Sequence, residues 1–230
     1  MHRWLRILLP NWAFVPLTIV GVIAVGNVAL TSGAVVASAT CSYALSGDRQ
    51  VPGPIWYWVD ERFSAPEVAA IRAGFAAWQS DPSSDVAFVF MGTTRTPDRA
   101  VDDGRNVVVR SARPLLDVPS ATALATTERV VIEGTPIYRD TDVVLDFSGR
   151  VPWSTDGGPR AQDLQSLMTH EVGHMLGLDH VTDPDQVMYP VCAPGRVDRR
   201  VLQWGDRAAL AAVYPMTDRT AIPATKSQSL

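Results

Sequence analysis

Apolar residues along this chain fall into one long run, several short clusters and two stretches with helical spacing. The long run comes first. Ile7 through Leu30 is almost wholly apolar, with Arg3 and Arg6 before it and small residues leading to Ala37-Ser38-Ala39 after it. A cationic start, an apolar centre and a small-x-small exit predict a secretory signal over residues 1–39. Trp12 to Leu30 is also nearly long enough to stay as an uncleaved membrane anchor. In both cases the charge asymmetry places the N-terminus in the cytoplasm and the rest of the chain outside.

The short clusters predict strands. Ile55-Trp56-Tyr57-Trp58-Val59 is aromatic and β-branched and follows Pro52-Gly53-Pro54. Its tryptophans share one face and are expected to pack. Val86–Phe90, Asn106–Val109, Arg129–Ile132 and Asp142–Phe147 read as further strands. Between them Ser64 and Glu67 have capping-box spacing, with Pro66 in the first turn. Val68, Ile71, Phe75 and Trp78 then form one apolar stripe, as on a scaffold helix lying against a sheet. A loop at Asp156-Gly157-Gly158-Pro159 leads to a second helix. There Leu164, Leu167, Met168, Val172, Met175 and Leu176 predict burial on most sides. Short strands around a long helix predict an α/β (α+β) domain with a twisted mixed sheet over residues 40–216, then a flexible tail over 217–230.

Composition changes this picture little. The 230 residues are 47% hydrophobic and 19% charged, enough apolar material for one core and too ordinary for a disordered chain. Charge excludes one class of partner. The net charge is −4, and losing Arg3 and Arg6 with residues 1–39 leaves 18 basic against 24 acidic side chains, or −6. A general nucleic-acid binder needs the opposite balance. Membrane contact is expected only through an uncleaved N-terminal segment, and the domain is expected to be a monomer.

The chemistry is concentrated in His170-Glu171-Val172-Gly173-His174-Met175-Leu176-Gly177-Leu178-Asp179-His180. Residues four apart share a helix face, so His170 and His174 can present imidazoles to one ion. Gly177 tolerates the left-handed backbone that ends a helix, letting the chain turn and return His180 as a third ligand. Three histidines suit Zn2+ and leave one position for water, which a catalytic zinc needs and a structural one lacks. Glu171 points to another side of the helix, where it is placed to act as general base toward that water. The remaining histidine is His2, so the domain has none for a Ser-His-Asp site or a second histidine-rich zinc site.

Together with Met188, this extended motif resembles the metzincin zinc peptidases. Leu176–His180 and Val187-Met188-Tyr189-Pro190 resemble the matrixin family within them, especially its small bacterial members. Weaker similarity covers Tyr43–Trp78, Thr141–Phe147 and Asp206–Tyr214. The resemblance implies a zincin-like fold with an active-site helix and a C-terminal helix. It also implies endopeptidase activity on protein or peptide substrates lying along an edge strand. Met188 would form a methionine turn beneath the metal, and Tyr189 and Pro190 the wall of the specificity pocket. The family's Ca2+ sites have one matching position, Asp142, but the Gly-rich loop supplying the other ligands is shortened. Val181 departs from the serine or threonine usual after the third histidine, and no cysteine-switch propeptide precedes the domain. A non-catalytic zinc-containing peptide-binding domain is the alternative, which the intact Glu171 disfavours.

Cys41 and Cys192 are the only cysteines. Outside the cell such a pair commonly forms a disulfide; two buried thiols or a lipidated Cys41 are the alternatives. For a Cys41–Cys192 bridge, alkylation without reductant should leave the intact mass unchanged, and two modified thiols would refute the pairing.

Overall fold

A computed structural model describes residues 18–20, 24–25, 43–115 and 122–216. Its main sheet contains β1 (Ile55–Asp60), β2 (Phe88–Thr94), β3 (Asn106–Ser111), β4 (Ala125–Val131) and β5 (Ile137–Asp146). Three helices accompany it: α1 (Ala65–Gln79), α2 (Leu164–Met175) and α3 (Trp204–Val213). The strand order is β4-β5-β3-β1-β2. β5 pairs antiparallel with β4 and parallel with β3, and β1 pairs parallel with both β3 and β2. This is the expected mixed sheet with its scaffold, active-site and C-terminal helices.

Two pieces of the first forty residues are also paired. Thr18–Val20 runs antiparallel along the outer edge of β4, and Ala24–Val25 runs antiparallel to Thr122–Ala123. The other residues of 1–39, Cys41 and the tail 217–230 lie outside the described set. Among the described residues no helix is long and apolar enough to cross a membrane.

The core lies on the sheet face that carries Ile55, Tyr57 and Val59. Against it pack Ile71, Phe75 and Trp78 of α1 and Leu164, Leu167, Met168 and Met175 of α2. The Tyr57 ring stacks on Phe75, with centroids 3.7 Å apart. The capping spacing at α1 is realised: the Ser64 N–H donates to the Glu67 carboxylate at 2.7 Å. Trp58 packs at the margin of a small second cluster around Val107, Val109 and Val144. Trp56, expected to pack beside it, is 57% exposed, because nothing among the described residues covers that part of the outer face.

β2 starts two residues later than expected and runs on to Thr94, and two other strands start early where polar residues are buried. β4 begins four residues earlier than expected and β5 five, taking in Thr126, Thr127, Tyr138, Asp140 and Thr141, all buried. Polar side chains interrupt an apolar run yet do not interrupt a strand when partners receive them.

α1 and α2 approach each other closely in the core. A Cβ added at Gly74 would lie 2.6 Å from Met168 Cβ and 2.9 Å from the main chain of Met168 and Thr169. Two helices in near-backbone contact cannot yield by a rotamer change. Gly74→Ala should therefore lower the unfolding free energy by about 1–3 kcal/mol, read as an earlier denaturant midpoint at unchanged slope.

Candidate metal centre

α2 starts where Asp163 caps it, accepting from the Ser166 N–H at 2.8 Å. Every residue of the helix except Gln165 is buried, and the Trp78 indole donates to the Thr169 carbonyl at 2.7 Å. The helix ends at Leu176. Gly177 follows with φ of +96°, and a Cβ there would collide with the Asp48 carbonyl, so glycine is required twice over. Leu178–Asp179 then pairs antiparallel with Ala44–Leu45, and the Ser46 N–H donates to the Gly177 carbonyl at 2.9 Å. The turn thus tied down delivers His180.

The three predicted ligands converge. His180 Nε2 lies 3.2 Å from His170 Nε2 and 3.1 Å from His174 Nε2. The other ring nitrogens show what these contacts are. His170 Nδ1 is 2.7 Å from the Val187 carbonyl and His174 Nδ1 is 2.8 Å from the Leu178 carbonyl. A carbonyl only accepts, so both Nδ1 atoms carry the proton, and both Nε2 atoms present lone pairs. Burial, and then the neighbouring histidines, hold His170 well below its ordinary pKa. His174 is held low by burial and His180, while burial and Arg199 bring His180 down to about 4. Two inward lone pairs beside a third neutral ring nitrogen make a site that a cation can occupy.

The spacing fits such a cation. A tetrahedral ion at zinc–imidazole distances of ~2.0–2.1 Å would separate its nitrogens by about 3.3 Å. These are the only three histidine, cysteine or carboxylate groups among the described residues so clustered.

Glu171 is wholly buried beside them. Its Oε2 accepts from the Thr127 hydroxyl at 2.6 Å, and its Oε1 has no hydrogen-bond partner among the described residues. Burial pushes the carboxyl up to about 8 against the opposing pull of Thr127.

Met188 lies directly under α2. A Cβ at Gly173 would overlap Met188 Sδ and sit 2.9 Å from Trp78 Cζ2, so the third residue after the first histidine must be bare for the turn to pack. Asp206 fixes that turn, accepting the Val187 and Met188 N–H groups at 3.0 and 3.3 Å. Arg199, 1% exposed, donates to the Tyr189 and Val191 carbonyls at 2.8 and 2.7 Å. Tyr189 is half-buried and Pro190 buried. Thr127, Gly173, Arg199 and Asp206 escaped the sequence reading. Only Gly173 carried a signal, a glycine inside a helix that lowers helix stability unless something packs there.

Cys192 is buried, 2% exposed; its proposed partner is outside the described residues. Asp142, the candidate calcium ligand, uses both carboxylate oxygens on main-chain N–H groups, of Val101 and Val107, each at 2.8 Å. Burial pushes its carboxyl up to about 7.

A model of the matrixin peptidase family matches residues 63–215. Metalloendoproteinase 1-MMP of Arabidopsis thaliana is 43% identical over 54 residues, and matrilysin of Felis catus 37% identical over 59. Those stretches cover 24% and 26% of this chain but only 15% and 22% of the two relatives. Among solved structures, high choriolytic enzyme 1, a hatching-enzyme zinc-protease of Oryzias latipes, is 13% identical. It matches with a TM-score of 0.40, over 73% of this chain and 93% of that one.

The packing at Gly173 generates a test. The wild-type chain should take up one equivalent of zinc. Gly173→Ala should bind it roughly ten- to a hundredfold more weakly in a competitive chelator titration, because displacing Met188 shifts the turn whose Val187 carbonyl orients His170.

Proposed function

The chain belongs to the matrixin family, and from that membership we propose that residues 40–230 act as a secreted or surface-tethered zinc endopeptidase with Glu171 as general base. One observation carries the reading: the Nε2 atoms of three imidazoles, two of them with lone pairs turned inward, meet beside a buried carboxyl group that keeps one oxygen without a hydrogen-bond partner among the described residues. A purely structural site would close its fourth position with another protein ligand, and no further histidine, cysteine or carboxylate completes this one among the described residues.

His170, His174 and His180 would hold the ion. When bound, zinc supplies Lewis-acid chemistry, polarising the scissile carbonyl and making water a nucleophile near neutral pH. The protein's own part is to place and move protons. Glu171 Oε1 accepts the proton of the attacking water and passes it to the departing amine. The two Nδ1–H···O=C bonds keep the imidazoles from turning. Burial of α2 keeps bulk water off the carboxylate, which strengthens each charge interaction around it.

The substrate would be a protein or peptide in extended form, adding as a strand along the outer edge of β4. In the full chain Thr18–Val20 occupies that edge, and loss of residues 1–39 leaves it open. Met188 supports the centre from below, and Tyr189 and Pro190 would form the wall of the specificity pocket.

Zinc-loaded residues 40–230 should cleave casein, and a chelator should abolish cleavage. Glu171→Ala should reduce kcat/KM by roughly a hundredfold or more while binding one zinc. Equal activity in both proteins would remove Glu171 from the mechanism. A folded, zinc-replete wild type that cleaves nothing across several unstructured substrates would favour a peptide-binding role.

A further inference from the structure

We propose that Thr127, on the inner face of β4, is the positioning residue for Glu171, holding one carboxylate oxygen so that the other performs the proton transfers. This rests on the endopeptidase reading above.

The register of β4 makes the contact. Alternate residues of a strand share a face, and Ala125, Thr127 and Arg129 are all buried on the side toward α2. β5 sets their height, with Leu145 opposite Ala125, Val143 opposite Thr127 and Thr141 opposite Arg129. Arg129 Nη1 then reaches the His174 carbonyl at 3.2 Å and the Tyr138 hydroxyl at 2.7 Å. One strand step away, the Thr127 hydroxyl donates to Glu171 Oε2 at 2.6 Å. The strand grips the metal helix at two points one helical turn apart, and one of them is the carboxylate.

The hydroxyl has little choice of partner. Thr127 is 0% exposed, so no bulk water competes for its proton. The Glu171 main-chain oxygen, at 3.5 Å, is a far weaker acceptor than the carboxylate at 2.6 Å. The branched side chain is also stiff about χ1.

A carboxylate alone has two equivalent oxygens and a broad terminal torsion. With Oε2 tied and Oε1 without a partner, that symmetry is broken. The same oxygen is presented at each turnover, and the proton it accepts is not shared with the protein.

The test compares Thr127→Val, which keeps shape and loses the hydroxyl, with Thr127→Ser, which keeps the hydroxyl. Thr127→Ala replaces the valine variant if that one does not fold. In zinc-loaded residues 40–230, Thr127→Val should lose roughly ten- to a hundredfold in kcat, with KM within about twofold and zinc content unchanged. Thr127→Ser should stay within about threefold of wild type. In the Glu171→Ala background the valine change should have no further effect, since the group it positions is gone.

A second readout needs no turnover. The carboxyl band of Glu171, isolated as the infrared difference between wild type and Glu171→Gln, should shift in Thr127→Val and not in Thr127→Ser. An unshifted band, a wild-type kcat in Thr127→Val, or equal losses in the valine and serine variants would overturn the proposal. Absence of cleavage by wild type itself would count against the endopeptidase reading, while the band would still report on the hydrogen bond.

Discussion

The two hydrogen bonds from His170 and His174 Nδ1 to main-chain carbonyls decide what the centre of this molecule is. They fix the tautomers, and so they turn the lone pairs of two neutral rings onto one point beside His180. Neither carbonyl belongs to α2. Val187 lies on the turn before Met188, and Leu178 lies beyond Gly177, so the centre exists only if both segments are held at fixed distances from the helix. Much of the surrounding architecture serves that end. Gly177 and the short pairing of Ala44–Leu45 with Leu178–Asp179 set one carbonyl. Gly173, Trp78 and the Met188 thioether set the other.

The turn at Met188 is held by ionic groups that have no solvent to relax into. Asp206 accepts three main-chain N–H groups, of Val187, Met188 and Gln203, and so joins the start of α3 to the floor of the centre. Burial still pushes its carboxyl upward, so those N–H groups offset a real desolvation cost. Arg199 does the complementary work on carbonyls two and four residues further along than Val187. A buried guanidinium bound to two successive-but-one carbonyls fixes the backbone direction from Tyr189 to Val191. The main chain from Val187 to Val191 is therefore held from both sides, and mutations at Arg199 or Asp206 should reach His170 through the Val187 carbonyl.

Local features of this design were legible in the sequence. The capping box at Ser64, the stripe on α1, the ligand spacing and the turn-forming Gly177 each follow from residues within about three helical turns of each other. Features that depend on what lies across the sheet were not. Thr127 sits in Ala-Thr-Thr-Glu, a stretch with no chemical signature until β5 fixes its register against α2. Gly74 reads as a weak point in a helix until α2 is seen to touch it. The early starts of β4 and β5 were hidden for the same reason, since Tyr138, Asp140 and Thr141 resemble a loop until their partners are known. Trp56 was misjudged in the other direction: alternation told which face it takes, and not whether anything covers that face.

The buried carboxylates sharpen what the histidine cluster means. Asp60 accepts the Arg62 and Arg110 N–H groups, Asp140 those of Asp103 and Gly104, and Asp142 those of Val101 and Val107. Asp163 and Asp206 do the same at the starts of α2 and α3. At each of these points donors converge on an acceptor, and the main chain already supplies the positive end of the interaction that a cation would otherwise provide. At His170 and His174 two lone pairs converge beside the third ring nitrogen, of His180, and among the described residues no main-chain N–H faces them. Within one domain the direction in which the protons point separates five carboxylates that tie loops from three imidazoles whose ring nitrogens could hold an ion. Burial alone would not separate them, since Asp60, Asp163 and His174 are equally hidden from solvent.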